Sequence, residues 1–415
     1  MIENILKVLN SEKIDKFCIY EERRESSEMF FVKKTLDLVR GKNAVDVKLT
    51  VYREFDKDGK HCLGSSQIFI YPETTEEQIA ELVRSAYDSA LYADNPYFEL
   101  PEGEKNHMAA KMQGSSLDDN AAAMAKALFE QDKDKDAWIN SAEIFAERNT
   151  VRIVNYKGCD VSYVKEKICG ELVVQSRLEG NDVELFSLFE YDTADTKALG
   201  RKCRNALKAV KDRACAQKAP EDLSGYPIIL CDENVGEFLQ FYLSRCNAEY
   251  IYPGYSDYKT GENVCPDAAG DKVTIRVVPD VPYNSEGIRM VSHSLIEDGK
   301  IMTLHGNSAC SSYIGIKPIG SFTHMICENK GIEDEKLLAG PYIMVKSFSD
   351  FQMDAMDGSF GGEFRLAYLC DGSGVKAVTG GTVSGNMFDA QKNIVFSQSR
   401  YNEAGYTGPA MVKIG

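Results

Sequence analysis

Histidine is scarce in this sequence, and the five that occur are scattered at His61, His107, His293, His305 and His324. None forms H-E-x-x-H or another close pair that would place two imidazoles on one helix face for zinc. There is no G-x-S-x-G elbow and no G-x-x-x-x-G-K-[ST] loop, so hydrolase and nucleotide chemistry lose their usual sequence support. No C-x-x-C occurs among the 12 cysteines, which therefore read as reduced, mostly buried thiols rather than a disulfide framework or a zinc finger. No run approaches the roughly 20 apolar residues that a membrane helix needs. Basic residues are also in deficit, 48 against 64 acidic, for a net charge of −16. That argues against duplex DNA as a partner, since non-specific affinity for phosphate depends on Lys and Arg displacing counterions, and permits action through a protein partner.

The remaining composition, 43% hydrophobic and 10% aromatic, is that of a globular protein with room for roughly two or three domains. The start, MIENILKVLNSEKIDKF, is amphipathic and lacks the order of regions of a secretion signal, so a cytoplasmic location is expected. From Glu28 to Ile70 the chain reads as strands, with Val45, Val47, Leu49 and Val51 alternating with polar residues and Asp58-Gly59 as a hairpin signal. A helix follows, with Thr74 and Glu77 as its capping box and Ile79, Leu82, Val83 and Ala86 on one face. The order then recurs. A helical stretch near Asn120 to Gln131 leads to TVRIVNY, DVSYVKEK, ELVVQSRL and DVELFSLFEY, with Gly180-Asn181 as a turn, and then to a helix striped by Leu199, Cys203, Leu207 and Val210.

Ala214 to Pro227 is small, polar and turn-forming, as a linker is. We place an N-terminal α/β domain with repeated helix, strands, helix units at 1–218 and a Gly-rich antiparallel β-sheet or barrel domain at 219–415, an α+β chain as a whole. The second domain carries an amphipathic helix around Asn234 to Arg245 and a hairpin at Asp298-Gly299, with His293 and His305 expected on its neighbouring strands. Asp132, Asp134, Asp136, Trp138, Asn140 and Glu143 fall on the ligand positions of an EF-hand loop. Ala137 stands where that loop needs glycine, and strand-like sequence follows, so a solvated acidic connection is the expectation. In the Gly-rich core, Gly358, Gly361 and Gly362 permit close approach either of neighbouring strands or of a ligand backbone, and an exposed edge there would accept an extended peptide.

An ordered set of short elements carries a resemblance. These are N-x-x-G at Asn155 to Gly158, Glu286-Gly287 leading into LIEDGKI, S-F-S-D-F from Ser347 to Phe351, FGGEFRLAYL from Phe360, G-G-x-V-S-G-N ending at Asn386, and Gly408-Pro409. Together they resemble the TldD/PmbA family of zinc-dependent peptidases and their partner subunits. The resemblance implies a two-domain, dimeric, cytoplasmic protein. In TldD-like members a helix of this region carries H-E-x-x-x-H and a C-terminal Cys completes the zinc site. Here the helix reads ENVGEFLQFYLSRC and the C-terminal stretch SRYNEAGYTGPAMVKIG, with neither histidine nor cysteine at those places; Glu233 and Glu237 stand at the degenerate zinc-helix position. The resemblance is therefore to the PmbA (TldE-like) subunit type, without a metal of its own, whose TldD-like partner holds the zinc and acts on unfolded or modified peptides. Ser349, Asp350, Gly361, Gly362 and Glu363 are the candidate peptide groove. Two alternatives remain open at this point: a peptide-binding or regulatory homodimer of the modulator-of-gyrase type, and a self-sufficient hydrolase using His293, His305 and carboxylates.

Overall fold

The computed structural model describes residues 1–108, 115–178, 180–403 and 405–415. Its first part is built from helix α1 (Ile2–Ser11), strands β1 (Phe17–Val32), β2 (Thr35–Lys57) and β3 (Lys60–Ile70), and helix α2 (Glu76–Ser89). After a short strand β4 (Lys105–His107) the series repeats as α3 (Leu117–Phe129), β5 (Ala137–Asn155), β6 (Asp160–Leu178), β7 (Asn181–Tyr191) and α4 (Thr196–Ala214). The two three-stranded meanders join through antiparallel pairing of β1 with β5, giving the order β3-β2-β1-β5-β6, with β7 and β4 both on β6. Alternation sets which face is buried. Ile19, Val47, Leu49 and Ile70 pack under α1 and α2, and Phe31, Ala142, Ile144 and Leu172 under α3 and α4, so all four helices lie on one face of the sheet.

Three details differ from the sequence reading. The capping box sits one residue later, with Thr75 Oγ1 accepting from the Gln78 N–H and the Gln78 side chain accepting from the Thr75 N–H; Thr74 instead accepts from Tyr71. The strands begin at Phe17, not Glu28. DVSYVKEK and ELVVQSRL form the single strand β6, because Gly170 continues the strand where its missing side chain admits the Glu143 carbonyl. Asp58 and Gly59 do make the β2–β3 turn, both at positive φ.

The second part holds β8 (Gln217–Lys218), β9 (Ile228–Cys231), helix α5 (Glu233–Arg245), β10 (Ile275–Val278), β11 (His293–Glu297), β12 (Lys300–Ile301) and β13 (His324–Cys327). It continues with β14 (Tyr342–Met353), β15 (Ser359–Cys370), β16 (Val375–Thr379), β17 (Gly381–Asn386), β18 (Val395–Phe396), β19 (Arg400–Glu403), β20 (Tyr406–Pro409) and β21 (Met411–Ile414). These strands form two sheets, β12-β11-β10-β13-β20-β19 and β18-β21-β9-β14-β15-β16-β8, with β17 added on β15. Both are mixed, since β13–β20, β9–β14 and β8–β16 pair in parallel. The chain is thus α+β. Helix α5 buries Val235, Phe238, Leu239, Phe241, Tyr242 and Leu243 in a core shared by the two sheets, as a helix apolar on most sides must. Among the described residues no helix is long and apolar enough to cross a membrane.

Candidate functional site

Strand β14 positions the site because its two sides differ. One side pairs with β15 along its whole length, whereas β9 covers the other only at Ile343–Val345. From Lys346 to Met353 no described strand pairs with that second edge, and a strand edge of this kind is where an extended chain can add. The pairing register skips Lys346 and Ser349, each an extra residue bulged out of the ladder, a device that re-aims side chains beside functional sites. Ser349 Oγ accepts from Arg365 Nη2 at 2.7 Å, and the same guanidinium lies 3.6 Å from Glu363, so Ser349 and Glu363 share one partner. Asp350 pairs in register with Glu363. Gly361 and Gly362 lie inside β15, bonded on both sides by β14 and β17. A Cβ on Gly362 would stand 2.1 Å from the Asp350 carbonyl oxygen, so these glycines serve the close approach of neighbouring strands.

Glu233 and Glu237 project from the exposed stripe of α5, one turn apart. Local desolvation, with Asp350 nearby, pushes the Glu237 carboxyl above its ordinary value. Glu233 reaches a cavity of about 880 Å³ between α4, the β7 edge and the β19–β20 hairpin. Its carboxylate accepts from the Tyr401 hydroxyl at 3.1 Å, and Glu403 accepts from Lys202 Nζ at 2.8 Å and from the Tyr191 hydroxyl at 3.4 Å. Burial, followed by the charges of Glu233 and Glu403, holds the Tyr401 phenol far above its ordinary value, so it serves as a neutral donor. Across the cavity Lys346 pairs with Asp232. Burial opposes charge on Lys346, but Cys231 and Asp232 beside it more than offset that and raise its pKa above the ordinary lysine value.

Asp232 is held at φ 56°, ψ −125°, at the N-terminus of α5, a backbone conformation that L side chains rarely adopt. Strain of this kind costs about 1–3 kcal/mol and persists where a particular side chain is needed. Asp232→Ala is expected to unfold about 1–2 kcal/mol more easily than Asp232→Gly, since both lose the Lys346 partner and only glycine relieves the backbone. Equal stabilities in urea titrations would refute the strain.

Among the described residues no three His, Cys, Asp or Glu side chains converge as a metal site would need. His293 and His305 are not on paired strands of one hairpin. His293 opens β11, whereas His305 lies beyond β12 in a bridge with Asn247, and both rings meet the edge of Phe322. Both ring nitrogens of His305 are used, Nε2 donating to the Leu243 carbonyl at 2.9 Å and Nδ1 accepting from the Phe322 N–H at 3.3 Å. The acidic loop leads from a helix into β5, as its sequence context requires: Asp132 faces Lys34, Asp134 accepts from Lys211 at 2.6 Å, and Glu143 is a strand residue.

Two of the resemblance-carrying motifs turn out to meet each other. Asn155, 2% exposed, accepts from the Lys157 and Cys159 N–H groups at 2.9 and 3.2 Å and donates to the Pro101 and Glu286 carbonyls at 3.3 and 3.2 Å. Gly287, at φ 88°, lies where a Cβ would stand 2.5 Å from Cys159 Sγ. N-x-x-G and Glu286-Gly287 thus tie the first sheet to the second part of the chain. The sequence reading did not single out Asp232, Lys346, Tyr401, Glu403, Lys202 or Tyr191. Asp232 and Lys346 adjoin noticed motifs, Tyr191 ends DVELFSLFEY, and Tyr401 and Glu403 fall within SRYNEAGYTGPAMVKIG, but only the fold brings them together with Lys202.

Residues 224–414 match the family model described as the PmbA/TldA metallopeptidase C-terminal domain. No curated protein sequence matches the chain. In fold the whole chain is similar to the crystal structure of TldE from Thermococcus kodakarensis (TM-score 0.75, 16% identity, 100% of this chain and 98% of that one). It is equally similar to a candidate modulator of a DNA gyrase from Thermotoga maritima (0.75, 16%, 100% of both chains). A candidate modulator of DNA gyrase from Bacteroides thetaiotaomicron gives 0.78 at 16% identity, covering 100% of this chain and 97% of that one.

Proposed function

Because residues 224–414 match the PmbA/TldA metallopeptidase C-terminal domain, we propose that this chain is the TldE-like, non-catalytic subunit of a two-chain peptidase. Its partner is a TldD-like chain that carries the zinc and the general base, and together they process unfolded or modified peptides. The observation that carries this reading is the unpaired edge of β14 from Lys346 to Met353, running beside α5 and into the cavity. An extended peptide adds there as a further strand. Main-chain hydrogen bonds supply the affinity, so preference for particular side chains is weak. The Glu233–Tyr401–Glu403–Lys202 chain of bonds keeps the cavity wall polar and fixed. Zinc, when bound in the partner, supplies an activated water at neutral pH; this chain's residues hold the peptide and enclose it.

The test is to co-express the chain with the TldD-like protein of the same genome, purify through a tag on this chain alone, and measure zinc and peptide cleavage with and without the partner. Zinc and cleavage are expected only in the complex. Stoichiometric zinc and cleavage by this chain alone would overturn the reading.

A further inference from the structure

The first sheet has helices on one face only, and its other face is half covered. Near the β5–β6 turn, Tyr20, Val151, Ile153 and Tyr163 pack against Val281 and Tyr283, and Lys165 pairs with Asp280. Farther along, from the Ser26 position to the β1–β2 turn, none of the described chain lies over the face. Strand register places one row across it, Leu188, Glu171, Glu143, Phe30 and Leu38, contributed in turn by β7, β6, β5, β1 and β2. Leu188 and Leu38, the two ends of that row, are 61% and 50% exposed, and Val32 and Phe186 beside them are 57% and 53% exposed.

The centre of the row is electrostatically unfinished. Glu143 and Glu171 stand directly opposite each other, and like charges in that relation are destabilising. Desolvation and the Glu171 charge push the Glu143 carboxyl above its ordinary value, and Arg40 offsets this only in part because it is held by Glu28. The next two rows add Glu190, opposite Cys169, and Glu147, opposite Lys167, with Lys167 within 4 Å of both carboxylates. With Lys42 at the rim, the face carries five carboxylates, Glu28, Glu143, Glu147, Glu171 and Glu190, against three cations. An isologous pairing of two copies centred on this row would set Glu143 and Glu171 against their own images. A partner that presents Lys or Arg within an apolar rim would instead complete both the charge and the packing.

We infer that this half-face is the docking surface for a different, basic-surfaced protein chain, which on the reading proposed above is the TldD-like subunit. Phe186 belongs both to this face and to the lining of the cavity, so a chain seated here also walls the chamber beside the β14 edge. The inference rests on the two-subunit reading for the partner's identity and on the sheet face for its location.

The probe is the TldD-like chain of the same genome, titrated against wild type, Leu38→Asp/Leu188→Asp and Glu143→Gln/Glu171→Gln, each first shown to be folded by its circular dichroism and unfolding midpoint. The aspartate pair is expected to weaken binding by about 100-fold. The glutamine pair is expected to weaken it about tenfold and to flatten its salt dependence. The same glutamine pair should raise the unfolding midpoint of the free chain, because it removes a repulsion that only the partner relieves. Should the aspartate pair fail to fold, Leu188→Ser alone carries the test. Tight binding by wild type and by both variants within twofold would place the partner elsewhere and leave the two-subunit reading standing. No binding by wild type would overturn both. A wild-type homodimer broken by Leu38→Asp/Leu188→Asp would make the face a self-interface and overturn the basic partner.

Discussion

Asn155→Ala is expected to cost about 3–4 kcal/mol of folding stability, more than the loss of a side chain of its size would otherwise imply. The amide replaces four hydrogen bonds that water cannot reach: two N–H groups of its own turn and the carbonyls of Pro101 and Glu286. Alanine leaves all four groups without that partner, and each buried group left unmatched costs about 1–3 kcal/mol, reduced wherever the turn relaxes or admits a water. Two of the lost bonds reach outside the turn, so the damage spreads. Glu286 also accepts from the Ser308 N–H and hydroxyl at 2.9 and 2.8 Å, which connects Asn155 to the short helix that begins there. Urea titration of wild type and variant, followed by both fluorescence and far-ultraviolet circular dichroism, measures the cost and detects separate unfolding of the two parts. A loss below about 1 kcal/mol would mean that Gly158 and the backbone bonds shape the turn without the amide.

What was legible in the sequence follows how local each cause is. Val45 to Val51 announced a half-buried strand because one face of β2 packs under α1 and α2, and burial writes a period of two into the residues. The repeated helix, strands, helix order was visible for the same reason, and it became the two joined meanders of the first sheet. The capping box slipped by one residue because Thr74 and Glu77 satisfy the same pattern as Thr75 and Gln78, and only the backbone geometry chooses between them. At the candidate site, Glu233 and Glu237 were singled out only through the resemblance of this helix to the zinc helix of TldD-like chains. Tyr401, which holds Glu233, lies 168 residues away in the chain, and no spacing rule links the two. The glycines of FGGEFRLAYL illustrate the middle case. Their presence signals close approach, but which backbone approaches is decided by the pairing of β14 and β17.

His305 is expected to make the protein lose about 3 kcal/mol of stability between pH 6.5 and pH 4. Burial is the main cause: it disfavours the imidazolium and lowers the pKa to about 4, although the bond to the Leu243 carbonyl and the Glu249 charge act the other way. In the unfolded chain the ring titrates near its ordinary 6.5. Between those values the unfolded state binds a proton that the folded state refuses, so stability falls as the pH drops and levels off once the folded ring is protonated too. The span from 6.5 to about 4, at about 1.4 kcal/mol for each pH unit, gives the expected size. His305→Gln keeps a donor for the Leu243 carbonyl and has no proton to gain, so its stability relative to wild type should rise by that amount across the same window. Parallel curves would mean that the ring is solvated and free to charge. The same pair of proteins tests the self-sufficient hydrolase reading, because a His305 that coordinates metal must release one of its two hydrogen bonds. Zinc added at pH 7 should protect wild type no more than His305→Gln against urea. A protection confined to wild type would make His305 a ligand and move the catalytic centre into this chain.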